Sequence, residues 1–219
     1  GKLSLSYTSG GTETIGALNG AGTVRNNGGG SNTIIVGNGN GSGTFSGTIV
    51  NGGGTIAFTK TGTGNQTLSG ANTYTGATTL SRGTLALDFS ATGAPATNIL
   101  NNSANSSALT MSGATLLLTG KASTTNSQRL NGLTINGGTN VIQLSANATA
   151  NPLLLTLGGI TRTAGTVDFI LPAGTQSATN GITTTATNDA TGILGTWATV
   201  GGADFAAVSS GNIIAYTGY

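Results

Sequence analysis

Residues 58–87 read FTKTGTGNQTLSGANTYTGATTLSRGTLAL, and this stretch decides the fold class. Short runs of apolar and β-branched residues alternate in it with Gly, Asn and Ser, which form tight turns. Strand-like runs occur at residues 66–68, 78–80 and 84–87. These runs are shorter than typical strands in globular sheets, which have about five to six residues. The stretch therefore predicts short strands separated by sharp turns, and no helix.

The same pattern extends along the chain of 219 residues. Strand-like runs bounded by turn residues recur about every ten residues, which is the spacing of all-β folds. Gly-Thr followed by an apolar residue is a self-similar unit, and such units predict coils that stack on one another at about 4.8 Å. The further runs lie at 55–58, 115–118, 133–135, 141–144, 153–157, 166–170 and 212–216, and the Gly-Thr units begin at Gly22, Gly47, Gly54, Gly83 and Gly165.

We therefore predict an all-β chain that folds as a right-handed parallel β-helix, or β-solenoid, with residues 1–219 as a single domain or segment. Residues 88–107 and 172–190 break the pattern, and we expect both to be loop excursions from the coil. The sequence shows no obvious cap for the end coils, and an open strand edge would let chains stack end to end into a fibre. It also opens without a signal peptide, so we expect a processed form or a piece of a larger protein.

Composition excludes several classes of protein. Only 5% of the residues are charged and the net charge is +2, whereas 36% are hydrophobic, so the chain can bury surface and is not predicted to be disordered. The seven basic residues never form a run, which argues against a nucleic-acid partner. No stretch approaches the ~20 apolar residues of a membrane helix, so no membrane span is predicted.

The chain has few residues of the types that act in catalysis. The chain has no His and no Cys, which excludes His-based triads, thiol nucleophiles and His/Cys metal sites. We therefore predict no catalytic, cofactor-binding or metal-binding residues. The enzyme alternative is a β-helical polysaccharide lyase or hydrolase that uses a carboxylate pair. Its candidates are Asp168, Asp189 and Asp204 with Arg162 nearby, but turn-capping or an Asp168–Arg162 pair is the favoured role of these residues.

Three further patterns suggest binding. Trp197, Phe205 and Tyr216 lie close together in sequence and would either fill the last coils, which we favour, or form a carbohydrate platform. Residues 201–204 resemble a calcium-binding nonapeptide only faintly and do not repeat. Thr-x-Thr pairs, which are typical of ice-binding solenoids, are not regularly spaced; they lie at residues 73/75, 161/163 and 183/185.

The order of motifs within the opening stretch carries a family resemblance. Residues 60–64 (KTGTG), 68–76 (LSGANTYTG) and 83–85 (GTL) follow one another as in the autotransporter-associated β-strand repeat, also called the passenger-associated transport repeat. The chain resembles that family over this small part of its length only. The resemblance implies a β-helical passenger that is exported across a Gram-negative envelope, and it implies no catalytic residues or cofactors.

These observations predict a secreted or cell-surface structural protein that is not an enzyme. We expect its partner to be further copies of itself, in a homo-oligomer or a fibre formed by coil stacking. The alternative is an adhesin that binds glycans or host surfaces through the two loops.

Overall fold

The computed structural model describes residues 1–101, 108–146 and 151–219. Strands are nearly the only regular secondary structure of the described residues, which otherwise form a single 3-10 turn at Asn38–Asn40, so the all-β prediction is confirmed. The strands are β1 Lys2–Leu5, β2 Thr12–Ile15, β3 Thr23–Asn26, β4 Asn32–Val36, β5 Gly43–Phe45, β6 Thr48–Val50, β7 Ile56–Lys60, β8 Asn65–Leu68, β9 Thr78–Leu80, β10 Gly83–Asp88, β11 Leu109–Ser112, β12 Ala114–Thr119, β13 Asn126–Arg129, β14 Leu133–Ser145, β15 Leu153–Thr156, β16 Ile160–Ile170, β17 Gly181–Thr183, β18 Ala198–Val200, β19 Asp204–Ser209 and β20 Asn212–Ala215.

Most strands pair in parallel with a strand that follows later in the chain, so the chain builds up successive layers that stack on one another. The first ladder joins β2, β4, β7, β9, β11 and the first halves of β14 and β16. The second ladder joins β5, β8, β10, β12, the second halves of β14 and β16, and β18. The third ladder has two parts, β1–β3–β6 and β13–β15–β17. The layers differ in length, since a shorter stretch of chain joins Gln66 to its partner Leu85 than joins Thr79 to its partner Thr110.

The core consists of rows of apolar side chains that stack along each ladder. One row in the second ladder runs through Leu85, Leu116, Ile142 and Phe169, and all four side chains are fully buried. Successive side chains of a strand point to opposite faces of the sheet, so every second residue of these strands faces outward.

Threonine occupies one outward row of the first ladder over five layers in succession. The row runs through Thr59, Thr79, Thr110, Thr134 and Thr161. Threonine is a good strand former, and a charged row at this spacing would place like charges directly opposite one another. The stacking therefore explains why so few residues of the chain are charged.

The last strands change direction and close the end of the stack. β19 pairs antiparallel with β18, β20 pairs antiparallel with β17, and β19 and β20 form a hairpin with each other. The sequence showed no obvious cap, and this hairpin was not predicted from it. The cap was missed because its turn at Ser209–Asn212 has the same Ser, Gly and Asn composition as the corners of the coil.

The two expected loop excursions contain pieces of the ladders. Within residues 172–190, β17 pairs in parallel with β15. Within residues 88–107, Phe89, Ile99 and Leu100 are buried, and Thr97 forms a parallel bridge with Ser127. Residues 102–107 of that stretch lie outside the described residues.

Two neighbouring leucines of β12 test the register of the stack. Leu116 is fully buried and Leu117 is half-buried on the opposite face. We expect Leu116→Ala to lower the free energy of unfolding by about 2–5 kcal/mol because it leaves a cavity, as buried Leu→Ala changes do. Leu117→Ala should cost about 1 kcal/mol or less, since that side chain already contacts water. Urea denaturation of both variants measures the difference, and a larger loss in Leu117→Ala than in Leu116→Ala would mean that the alternation is misassigned by one residue.

Candidate functional site

Residues 58–87 form one complete layer that stacks on its own beginning. In the first ladder Phe58 pairs with Thr78, and in the second ladder Gln66 pairs with Leu85. In the next layer a longer stretch of chain separates the partners, since Thr79 pairs with Thr110. The loops between the strands of a short layer are themselves short, so its polar side chains lie close to the backbone of the adjacent layers.

Gln66 is buried within an apolar row and hydrogen-bonds to the backbone of Leu18, 48 residues earlier. Its Oε1 accepts from Leu18 N at 2.9 Å and its Nε2 donates to Leu18 O at 3.0 Å, as a paired strand would. Gly43 lies between the two residues in this ladder, and a methyl group there would lie 2.3 Å from Leu18 O. The missing side chain at Gly43 thus leaves room for the Leu18 carbonyl that Gln66 binds.

Asn72 joins three successive layers of the third ladder. Its Oδ1 accepts from Ile49 N at 2.8 Å, and its Nδ2 donates to Ile99 O at 2.9 Å and Gly70 O at 2.9 Å. One layer further, Gln128 repeats the arrangement of Gln66, since its amide bonds both Leu100 N and Leu100 O at 3.0 Å. These amides therefore complete the third ladder where the chain forms no strand.

Lys60 lies in an inward row between Val36 and Leu80 and is fully buried. Its Nζ donates to Thr61 O and to Gly62 O, the latter at 3.0 Å, so the ammonium binds the carbonyls of the corner that follows β7. Burial lowers the pKa of Lys60 below its ordinary value of 10.5, because the charged form loses hydration. The side chain thus fixes the corner that precedes β8.

Tyr74 packs in the core of the same layer, with its ring centroid 6.3 Å from that of Phe58. Its hydroxyl lies 2.6 Å from the hydroxyl of Thr78, which is also buried. Burial strongly raises the pKa of the Tyr74 phenol, and the hydrogen bond with Thr78 opposes this in part. The pair places two hydroxyl groups in an apolar interior with each other as partner.

The candidate carboxylates of the enzyme alternative are each held by a separate set of donors. Asp168 Oδ1 accepts from Thr199 Oγ1 and Gly202 N, both at 2.8 Å, and so caps a turn. Asp189 Oδ1 accepts from Thr191, whose hydrogen bonds lower the pKa of the carboxyl. Asp204 Oδ1 accepts from a tyrosine hydroxyl near the end of the sequence. In the described ranges, no three acidic side chains come together in a group that could hold a metal ion.

The predicted aromatic cluster is divided between two environments. Trp197 is partly buried against the core, and the Arg162 guanidinium lies 6.0 Å from its ring centroid. Arg162 Nε donates to Gly165 O at 2.8 Å. Phe205 and Tyr216 lie instead on the capping hairpin or just after it, and Phe205 is 36% exposed.

Comparison with known proteins agrees with the layer's motifs. The passenger-associated-transport-repeat family matches residues 58–87. The chain carries a passenger-associated transport repeat. It is also 37% identical over 140 residues, which are 64% of this chain, to a Brucella suis biovar 1 (strain 1330) protein called "Adhesin BmaC autotransporter". This match spans 4% of that relative's length. No solved structure matches the chain.

Sequence patterns identified the repeat but not the roles of its polar residues. An inward Gln or Asn looks like a turn residue in sequence, and β13 (Asn126–Arg129, NSQR) was missed for this reason. The available signal is a polar residue at a position where the two-residue alternation requires an apolar one. Gln66 and Gln128 both meet that criterion, with Gln66 two residues before Leu68 and Gln128 two residues before Leu130.

Replacing the Gln66 amide tests its part in the repeat. Gln66→Leu keeps the volume but leaves Leu18 N–H and C=O unpaired, at a cost of about 1–3 kcal/mol for each buried group. We expect a lower free energy of unfolding in urea and faster hydrogen exchange at the Leu18 amide. The control is Gln143→Leu, at an outward position of β14, which should change stability by no more than about 0.5 kcal/mol. Unchanged protection of the Leu18 amide would contradict the assignment.

The raised pKa of the buried Tyr74 phenol predicts a loss of stability at alkaline pH. Its pKa is raised above the ordinary value of 10.0, so the unfolded chain loses this proton first. The stabilisation that comes from this raised pKa is fully present below pH 10. It is lost as the pH rises above 10, by about 1.4 kcal/mol of unfolding free energy per pH unit. Tyr74→Phe should remove this part of the slope when unfolding is followed from pH 9 to 12 at about 25 °C. The same slope in both proteins would show that the phenol ionises without unfolding the chain.

Proposed function

We propose that the chain is a segment of right-handed β-solenoid in the passenger of a cell-surface adhesin. The observation that carries this proposal is the parallel register, which continues along the first ladder from β2 to β16 and along the second ladder from β5 to β18. In most layers the chain passes from the third to the first to the second ladder, as a coil does, and side-chain amides bridge the third ladder between β6 and β13. Right-handedness follows from the general rule that about 98% of parallel strand crossovers are right-handed.

The location and role are supported by the repeat and by the relative. A passenger-associated transport repeat and 37% identity to part of an autotransporter adhesin favour a surface-exposed or secreted protein with a structural or adhesive role. Among the described residues, no helix is long and apolar enough to cross a membrane. Stacked parallel ladders would give the segment a fixed register, which suits a part that holds binding surfaces away from a cell.

A fibre formed by end-to-end stacking is the second candidate, and the capping hairpin weighs against it. β19 pairs with β20 and, at two residue pairs, with β18, and β20 meets β17 at one residue pair, so antiparallel strands lie where the next parallel layer would pair. A copy that added a parallel layer to β17 and β18 would first have to displace these pairs.

The proposed function predicts both exposure on cells and attachment. Antibodies raised against the purified protein should label intact producing cells, and particles coated with the folded protein should attach to host-cell or matrix surfaces. Particles coated with the Leu116→Ala variant after unfolding in mild urea are the matched control. Labelling that requires cell lysis would contradict the surface location. Equal attachment by folded and unfolded coats would contradict a specific adhesive role.

A further inference from the structure

The chain contains eight Asn-Gly pairs. Glycine has no side chain, so the backbone nitrogen that follows each of these asparagines is unshielded and its peptide group turns freely. That nitrogen can attack the carboxamide carbon of the preceding asparagine, which makes Asn-Gly the dipeptide most open to deamidation. The pairs begin at Asn19, Asn27, Asn38, Asn40, Asn51, Asn131, Asn136 and Asn180.

The structure holds seven of these pairs in conformations that oppose the attack. Asn51 Nδ2, for example, donates to Thr75 Oγ1 at 2.7 Å. In the pair that begins at Asn131 the attacking nitrogen is engaged, since Gly132 N donates to Leu157 O at 2.9 Å. Five further carboxamides have hydrogen-bond partners in other parts of the chain, namely those of Asn19, Asn27, Asn40, Asn136 and Asn180. Each of the seven must break such a bond before its carboxamide carbon and the next nitrogen can meet.

Asn38 is the exception. Its side chain is exposed, and within the described ranges its carboxamide has no hydrogen-bond partner. The N–H of Gly39 likewise finds no acceptor among the described residues. A methyl group on Gly39 would meet nothing within 4 Å, so the tip of this corner projects into solvent. Both groups that take part in the reaction are therefore free at this pair.

The corner that carries Asn38 is fixed at its two ends and loose at its tip. A methyl group on Gly37 would overlap Thr61 O of the following layer, and one on Gly41 would overlap Gly16 O of the preceding layer. The hydrogen bond that restrains the Asn38 carbonyl comes from Gly41 N and is long, at 3.4 Å. The tip can therefore rotate while the layers on either side stay in place.

We propose that Asn38 is the site at which the folded chain deamidates. Gly39 N attacks Cγ of Asn38, and the carboxamide nitrogen leaves as ammonia with the proton that Gly39 N gives up. The product of this step is a cyclic succinimide. Water then opens the ring at either of its two carbonyl carbons. One opening yields aspartate, and the other yields isoaspartate, in which the side-chain carbon becomes part of the main chain.

The modification introduces charge into a chain in which charged residues are rare. Each conversion replaces a neutral carboxamide by a carboxylate and lowers the formal net charge from +2 to +1. The new carboxylate lies on the corner between β4 and β5, where Gly37 packs against the corner of the transport repeat. This chemistry does not depend on the proposed adhesin role.

Peptide mapping by mass spectrometry tests the proposal on the whole chain, incubated in its folded state at mildly alkaline pH. We expect the peptide with Asn38 to gain the mass by which O exceeds NH, at least about tenfold faster than the other seven pairs, because these react only after local opening. A rate at any of the seven that equals or exceeds the rate at Asn38 would overturn the proposal.

The same measurement in denaturing urea separates the fold from the local sequence. Unfolding should accelerate the seven held pairs about tenfold or more, and Asn38 no more than about threefold, since Asn38 is already free in the folded chain. An acceleration at Asn38 as large as at the other pairs would show that the folded corner protects it, and the proposal would fail.

Two variants assign the acidic product to Asn38 by ion-exchange chromatography. Asn38→Gln should abolish the acidic form that accumulates in the parent chain, because a glutamine must close a larger and less favourable ring. Asn27→Gln is the matched control: Asn27 is also exposed, but its Nδ2 donates to Ser4 Oγ at 2.7 Å. Equal melting temperatures confirm that both variants fold. An acidic form that persists in Asn38→Gln, or disappears in Asn27→Gln, would contradict the assignment.

Discussion

Every buried backbone N–H and C=O must find a hydrogen-bond partner, and this requirement organises the whole structure. Where a layer forms a strand, the next layer supplies the partners through parallel pairing. Where it does not, a side-chain amide supplies them. Gln66, Gln128 and Asn188 each bond both the N–H and the C=O of a single residue, at Leu18, Leu100 and Val208 respectively. The amides are therefore part of the ladders, and the high polar content of the chain is compatible with a continuous core.

Stacking also explains the distribution of charge. Rows such as Thr59, Thr79 and Thr110 repeat the same residue at the spacing of adjacent strands, where like charges would repel. Lys60 is basic and fully buried, and it is tolerated because its ammonium binds corner carbonyls.

The transport repeat and the proposed adhesive role are connected through rigidity. The repeat is a short layer whose polar side chains reach both neighbouring layers, from Leu18 on one side to Ile99 on the other. A layer of this kind sets the register of the chain before and after it. In the proposed solenoid, a fixed register would hold binding surfaces in place without a single globular core, as in repeat proteins.

Sequence by itself determined the all-β class and many of the strands. The run Thr78–Leu80 coincides with β9, and the motifs in residues 58–87 identified the repeat, because alternation and turn residues are local signals. Only the tertiary structure decided which strands pair, which amides lie inside, and that the last hairpin reverses direction. Partners as distant along the chain as Thr79 and Thr110 leave no local mark in the sequence. An Asn or Gln at a corner and one in the core differ only in their neighbours from other layers, and those neighbours exist only once the chain has folded.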